Sequence, residues 1–292
     1  MNHGNNEENF DNDYEENYED DFDDDTNDSI EKKISASIDD LEKRNIDDKR
    51  IKDFDDSKKR ATLESVFDER TIFQLNKILV NGPLDRIEGI ISAGKEANVY
   101  LAYDLEGKEV AIKIYKIDSN TSKWMRNYIV GDPRFKKIPH NISKIIYLWA
   151  SKEYKNLKRA EKAGLRVPKP IFVKNNILLM EYIGFGPIPA PKLKNIKDPK
   201  EIINLFDEIL EMMKILYQKA KLVHGDLSEF NILYHNQQPV IIDISQAVSI
   251  QHPKAEIYLV RDIKNVFNYF QKLGIETLNP EDFYYEVIDL EK

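Results

Sequence analysis

An α+β fold in two lobes is what this sequence predicts, with an antiparallel sheet and one long helix in the first lobe and a mostly helical second lobe. Three observations carry the prediction. Short β-branched runs bounded by turn residues recur through residues 86–182 and are interrupted by one long helical period over 141–163. The stretch Ile183-Gly184-Phe185-Gly186-Pro187, prolonged by Pro189 and Pro191, then breaks regular structure where a link between lobes belongs. Beyond it, helical periods over 198–221 and 256–272 flank two short strands joined by a turn at 235–238.

Composition narrows the class. The 292 residues suffice for one large or two modest domains with a sizeable core. Cysteine is absent, which excludes disulfides, thiolate metal sites and a cysteine nucleophile, and fits a reducing cytosol. No apolar run reaches the ~20 residues of a membrane span. Asp and Glu stand at the N-terminus where a signal peptide has Lys and an apolar core. A soluble cytoplasmic chain with no membrane partner is expected.

The net charge of -9 is unevenly spread: residues 1–28 hold 13 acidic and no basic residues, so the remainder, with 43 basic against 39 acidic, carries +4. Residues 1–28 cannot offset their ordering entropy by burial and read as a disordered acidic tail, with Phe10, Tyr14, Tyr18 and Phe22 recurring every four residues. Residues 29–61 read as a charged linker. Residues 62–182 then form an N-terminal helix plus the first lobe, and residues 183–292 the second.

Taken in order, Leu63, Val66, Phe67, Ile72, Leu75, Ile78 and Leu79 fall near helical period and stop at Gly82-Pro83. A strand, a Gly-Lys loop and a second strand follow over 86–103. Gly89 to Lys95 fits the start of a Walker A loop, but Glu96 stands where a metal-binding Ser or Thr is needed, and a strand follows where a helix should open. The layout is instead that of a phosphate-covering hairpin, in which Ser92, the backbone at Gly94, and Lys95 would meet phosphate oxygens. A third strand, Val110-Ala111-Ile112-Lys113-Ile114-Tyr115, places Ala111 and Lys113 on one face and Val110, Ile112 and Ile114 on the other. A lysine beside a small residue suits adenine on Ala111 and phosphate at Lys113.

Residues 116–140 read as a long irregular segment with a basic cluster of Lys116, Lys123, Arg126, Arg134, Lys136, Lys137 and Lys144 around it, a candidate RNA contact. In the helix over 141–163, Glu153 interrupts the apolar line Ile145, Trp149 and Leu157. A carboxylate facing a core needs a cation, for which Lys113 is the candidate, against the plainer alternative of Arg159 or Lys162 at the surface. Strands at 171–173 and 177–182 lead to the link Met180-Glu181-Tyr182-Ile183, whose backbone could bind adenine. The helix over 198–221 opens on Asp198-Pro199, and 256–272 is the final amphipathic helix, with Ile263, Val266, Phe267 and Phe270 inward.

The densest signal is His224-Gly225-Asp226-Leu227-Ser228-Glu229-Phe230-Asn231, followed twelve residues later by Asp243 at a strand end. An Asp near the attacking hydroxyl, an Asn on metal and a strand-end Asp on metal are the three groups of a phosphoryl-transfer centre. Only 49 residues follow Asp243, and neither D-F-G nor A-P-E is present, so the peptide-docking region of an ordinary protein kinase is missing.

Gly94-Lys95-Glu96-Ala97-Asn98-Val99-Tyr100, the 224–231 loop and Ile242-Asp243-Ile244-Ser245-Gln246 together resemble the RIO atypical protein kinases over roughly 62–275, in the form of the first RIO branch. The resemblance implies a trimmed two-lobed protein-kinase-like fold using ATP and Mg (or Mn), Ser autophosphorylation, and action in maturation of the small ribosomal subunit. Its partners would be the pre-small-subunit particle with its RNA and a protein substrate. It also implies a phospho-aspartate at Asp243. Ile- and Lys-rich usage suggests an archaeal source. Two alternatives share these residues: a nucleotide-gated assembly factor with little kinase activity, and a small-molecule kinase of the aminoglycoside or choline type. The small kinase subunit of the archaeal tRNA threonylcarbamoyl complex also fits the motifs but lacks such an N-terminal extension.

Overall fold

The structure is a computed structural model that describes residues 67–288. The acidic tail 1–28, the linker 29–61 and the first residues of the helix expected from 62 lie outside the described residues.

Asp68 caps helix α1 (Glu69–Asn81) by accepting the Thr71 N–H, and Leu75, Ile78 and Leu79 bury its apolar stripe. The strands β1 (Leu84–Ala93), β2 (Ala97–Asp104), β3 (Glu109–Tyr115), β4 (Pro170–Lys174) and β5 (Ile177–Glu181) form an antiparallel sheet in the order β1-β2-β3-β5-β4. The alternation expected for β3 is realised. Val110, Ile112 and Ile114 pack with Leu75, Ile78 and Leu79 of α1 on one face. Ala111 faces the other way, among Leu101, Tyr182, Val99 and Met180.

The segment expected to be irregular is not so throughout. Asp118 accepts the Thr121 N–H and starts helix α2 (Ser119–Ile129), which buries Met125, Tyr128 and Ile129 and sets Trp124 edge-on to Trp149, centroids 5.6 Å apart. The cationic residues hid this stripe, because Lys123 and Arg126 lie between its apolar positions. Residues 130–140 are irregular as expected. Arg134, however, does not belong to the basic cluster: its guanidinium turns inward and pairs with Asp132 at 2.6 Å.

Helix α3 (Ile142–Lys162) buries Ile145, Trp149, Glu153 and Leu157 as its period requires. After β5 a short hairpin, β6 (Gly184–Phe185) and β7 (Ile188–Pro189), leads into the second lobe, with Phe185 88% exposed at its tip. Helix α4 (Pro199–Gln218) follows. The pairs β8 (Leu222–Val223) with β11 (Val248–Ser249), and β9 (Ile232–His235) with β10 (Gln238–Ile241), bracket the loops at 224–231 and 242–247. Helix α5 (Ala255–Lys272) is not the last among the described residues. Pro280 opens α6 (Pro280–Ile288), whose Phe283 is fully buried against Phe267 at 5.5 Å between centroids. Burying one such ring contributes about 1.5–3 kcal/mol. The sequence signal for α6 is short and acidic, which is why a period count misses it.

Candidate active site

Hydrogen bonding within the loops fixes the site from the inside. Gly225 adopts φ +78°, and a Cβ there would also meet the Gln246 carbonyl at 3.3 Å, so the second position of the His224 loop requires glycine. His224 is buried. Its Nδ1 accepts the Asp226 N–H at 3.2 Å, so the proton sits on Nε2, 3.3 Å from the Ile242 carbonyl. Burial pushes its pKa down to about 4, which keeps the imidazole neutral and joins the two loops by a neutral bond. The Ile242 N–H donates back to the Asn231 carbonyl at 2.9 Å.

The loop that carries Asp226 and Asn231 is therefore bonded directly to the one that carries Asp243. Asn231 Nδ2 donates to the Asp226 carbonyl at 2.8 Å, which leaves its Oδ1 as the end available to a cation. Asp243 sits at φ +57°, a left-handed conformation that Asp tolerates better than most residues, and its side chain is 48% exposed. Lys113 Nζ lies 2.8 Å from both Glu153 Oε1 and Asp243 Oδ1. Glu153 thus pairs with the strand lysine rather than with Arg159 or Lys162, and the hydroxyl of Tyr115 donates to its other oxygen. Burial alone would depress the Lys113 ammonium, but the Asp243 and Glu153 carboxylates outweigh it and hold it well above the ordinary lysine value.

The two aspartates are driven apart. Burial, then the charge of Asp243, raises the Asp226 carboxyl. At Asp243 desolvation would also raise it, but Lys113 and the Ser245 hydroxyl lower it below the usual range. One carboxylate is thereby suited to take a proton and the other to stay anionic. An all-oxygen pair, Asp243 with Asn231 Oδ1, suits a hard divalent cation.

The hairpin tip is less committed. Gly94 is needed because a Cβ there would meet the Ala97 carbonyl at 2.9 Å, and its own carbonyl accepts from Lys116 Nζ at 2.7 Å. Ser92 and Lys95 stay exposed beside it. Glu96 is pushed up to about 7, by burial first and by the Asp243 charge second, so its repulsion of an anion is weakened near neutral pH. Along the link, Met180 pairs with Ala111 across the strands, and Tyr182 and Ile183 are buried. The Glu181 carboxylate is taken by both terminal nitrogens of Arg166 at 2.8 Å, and the Glu181 N–H donates to the Lys169 carbonyl at 2.8 Å.

The profile of the RIO domain matches residues 98–283. The RIO-type serine/threonine-protein kinase Rio1 of Haloferax volcanii is 42% identical over 215 residues, covering 73% of each chain. This chain belongs to the RIO kinase family. The human serine/threonine-protein kinase RIO1 is 40% identical over 233 residues, 79% of this chain and 41% of the human protein, so the chain spans less than half of that relative. The crystal structure of the Rio2 kinase-ADP/Mg2+-phosphoaspartate complex from Chaetomium thermophilum superposes with a TM-score of 0.57 at 23% identity, covering 74% of this chain and 64% of that one, which shows a shared two-lobed kinase-like fold.

In this RIO-family chain two site residues have roles that the motifs did not give: Gln246, which lies in the metal-loop motif, and Asp262, which lies outside the motifs. Gln246 Nε2 donates to Asp226 Oδ2 at 2.9 Å. Asp262, on α5 and 1% exposed, accepts the Gly225 N–H at 2.7 Å and the Leu227 N–H at 2.9 Å, and so holds the catalytic-loop candidate from beneath. The signal that exposed Glu153, a carboxylate inside an apolar helical face, was present at Asp262 too. Asp262→Ala leaves two buried N–H groups unpaired. It is expected to lower stability by about 3 kcal/mol, visible in urea denaturation as a lower midpoint with unchanged slope. A midpoint within error of wild type would show that the loop does not depend on this carboxylate.

Proposed function

We propose that this chain is an ATP- and Mg-dependent atypical serine kinase, with ATP hydrolase activity, of the first RIO branch. The observation that carries the reading is that the Asp226–Asn231 pair and the Lys113–Glu153–Asp243 cluster, each held by contacts of 2.8–3.4 Å, are centred on two loops joined by the Ile242 N–H bond to the Asn231 carbonyl at 2.9 Å. In this reading Ser92, Gly94 and Lys95 cover the phosphates. Ala111 and the backbone of Met180, Glu181, Tyr182 and Ile183 receive adenine. Lys113, positioned by Glu153, meets phosphate oxygens, and Asn231 and Asp243 hold Mg, with Mn as an alternative cation. The bound cation neutralises charge on the transferring phosphoryl group. Asp226 orients the acceptor hydroxyl and takes its proton as the new oxygen–phosphorus bond forms and the bond from the γ-phosphorus to the bridging oxygen breaks, with ADP as the leaving group.

The fungal Rio2 structure is a phosphoaspartate complex. That likeness favours a second use of the same centre, in which an Asp243 oxygen would take the γ-phosphoryl group as ADP leaves, and water would then break the acyl phosphate to give inorganic phosphate and the free carboxylate. Membership of a kinase family disfavours a purely binding role, and its curated relatives are protein kinases rather than small-molecule kinases. We further propose a cytoplasmic site of action on the pre-small-subunit ribosomal particle and its RNA, where the basic residues around α2 would meet phosphate. No helix among the described residues is long and apolar enough to cross a membrane.

Steady-state ATP turnover with and without purified pre-small-subunit particles tests the reading. Mg-dependent turnover stimulated by particles, with Ser phosphorylation of the chain or a particle protein, is the expected result. Turnover that ignores particles removes the ribosomal part of the proposal, and no turnover under any condition leaves only a nucleotide-gated binding role.

A further inference from the structure

Helix α3 does more than carry Glu153. One residue before it, Lys152 is completely buried, and its Nζ donates to the carbonyls of Ser245 at 2.8 Å and Ala247 at 2.5 Å. One turn on, the equally buried Asn156 donates through Nδ2 to the carbonyls of Ile244 at 2.8 Å and Ala247 at 2.9 Å. Its Oδ1 accepts from Arg134 Nη1 at 2.7 Å, which fixes the amide orientation. Three of the four backbone carbonyls immediately after Asp243 are therefore held by side chains of one helix. The anchorage continues outward: Arg134 is paired with Asp132, and Asp132 Oδ2 accepts the Ser249 N–H at 3.2 Å.

The chemistry of these contacts is unusual for simple packing. A fully buried ammonium costs several kcal/mol unless it is compensated. The groups that Lys152 Nζ bonds are backbone carbonyls, not a carboxylate, and burial, followed by the Arg134 charge, depresses it well below the ordinary lysine value. A leucine would fill the same space without that cost. What the amine and the amide supply is a fixed set of donors for a turn that must hold Asp243 at φ +57°, a backbone conformation that persists only where its surroundings over-determine it.

We propose that Lys152 and Asn156 are positioning residues for Asp243, tying the metal-binding loop to the helix that carries Glu153 so that both carboxylates are presented to Lys113 by one rigid element. The proposal rests on the reading of Asp243 as a Mg ligand. It implies that the loop after Asp243 is held in its working conformation by α3 at all times, without need of a switch in the residues that follow.

The test measures ADP binding to the full chain by titration calorimetry, in EDTA and across a Mg series, for wild type, Asp243→Asn, Lys152→Leu, Lys152→Gln and Asn156→Asp. Asn156→Asp keeps the shape and the acceptor for Arg134 but turns the donors to the loop into a carboxylate oxygen that repels its carbonyls, and Lys152→Gln keeps two donors, so at least one variant separates the contact from general packing. Lys152→Leu and Asn156→Asp are expected to raise the Mg concentration at half-effect tenfold or more while ADP affinity in EDTA stays within about threefold. Lys152→Gln should recover part of the loss. Mg half-effects within threefold of wild type in folded Lys152→Leu or Asn156→Asp protein overturn the proposal, as do equal losses with and without Mg. If Asp243→Asn keeps the full Mg effect, the metal role of Asp243 fails, and the proposal with it.

Discussion

Asp226→Ala is expected to lower phosphoryl transfer by about 10²–10⁴-fold while leaving nucleotide affinity within a few fold of wild type. The reason lies in what the carboxylate touches. Asn231 and Gln246 orient it, at 3.4 Å and 2.9 Å from Oδ2, and burial raises its proton affinity. Gln246 is assigned no part in ground-state phosphate or cation binding, and Asn231 would meet the cation through Oδ1, not through the Nδ2 that bonds Asp226. A residue that acts only as the acceptor hydroxyl loses its proton should lower the rate without changing binding. Asp243→Ala should behave differently, because it removes a carboxylate proposed to hold the cation and the Oδ1 partner of Lys113: nucleotide binding in Mg should weaken as well. Autophosphorylation with radiolabelled ATP, read beside fluorescent-nucleotide binding, separates the two. Near-normal autophosphorylation in Asp226→Ala would mean that the roles are wrongly assigned.

The second large effect belongs to the Lys113–Glu153 pair. Their side chains are 8% and 1% exposed; removing Lys113 leaves Glu153 buried without its counter-charge, and removing Glu153 leaves Lys113 held by Asp243 alone. Breaking such a pair costs about 3–5 kcal/mol; carried into the barrier, that is about two to four decades of activity for Lys113→Met or Glu153→Gln, with Glu153→Gln at the lower end because Asp243 still pairs Lys113. The double variant should lose little more than either single one, since the pair acts as a unit. Tyr115 adds a control: Tyr115→Phe removes only the second bond to Glu153 and should cost far less. Strictly additive losses in the double-mutant cycle would count against a functional Lys113–Glu153 contact.

Much of this site is legible in the sequence, and the reasons are local. The alternation of β3 forces Ala111 and Lys113 onto one face, and the four-residue spacing of α3 forces Glu153 inward, so their meeting needs only the two elements to pack. The spacing from Asp226 to Asn231 encodes a tight loop in the same way. What is not legible depends on partners distant in sequence. Lys152 and Asn156 resemble ordinary polar helix residues until the carbonyls at 244–247 arrive beside them. Arg134 reads as part of a basic run, yet Asp132, two residues away, draws it inside. Helix α2 is hidden because its cationic residues break the apolar count, although Asp118 gives a capping signal. Asp262 could have been found, since a carboxylate flanked by Leu259, Ile263 and Val266 is the same anomaly as Glu153.

Single-turnover reaction of the full chain with γ-labelled ATP tests the central claim most directly, because it follows the transferred phosphoryl group itself. The account predicts that label passes to protein or to free phosphate only when Mg is present, and that Asp226→Ala stops the transfer while bound nucleotide remains. Transfer that persists unchanged in EDTA, or that Asp226→Ala leaves intact, would contradict it.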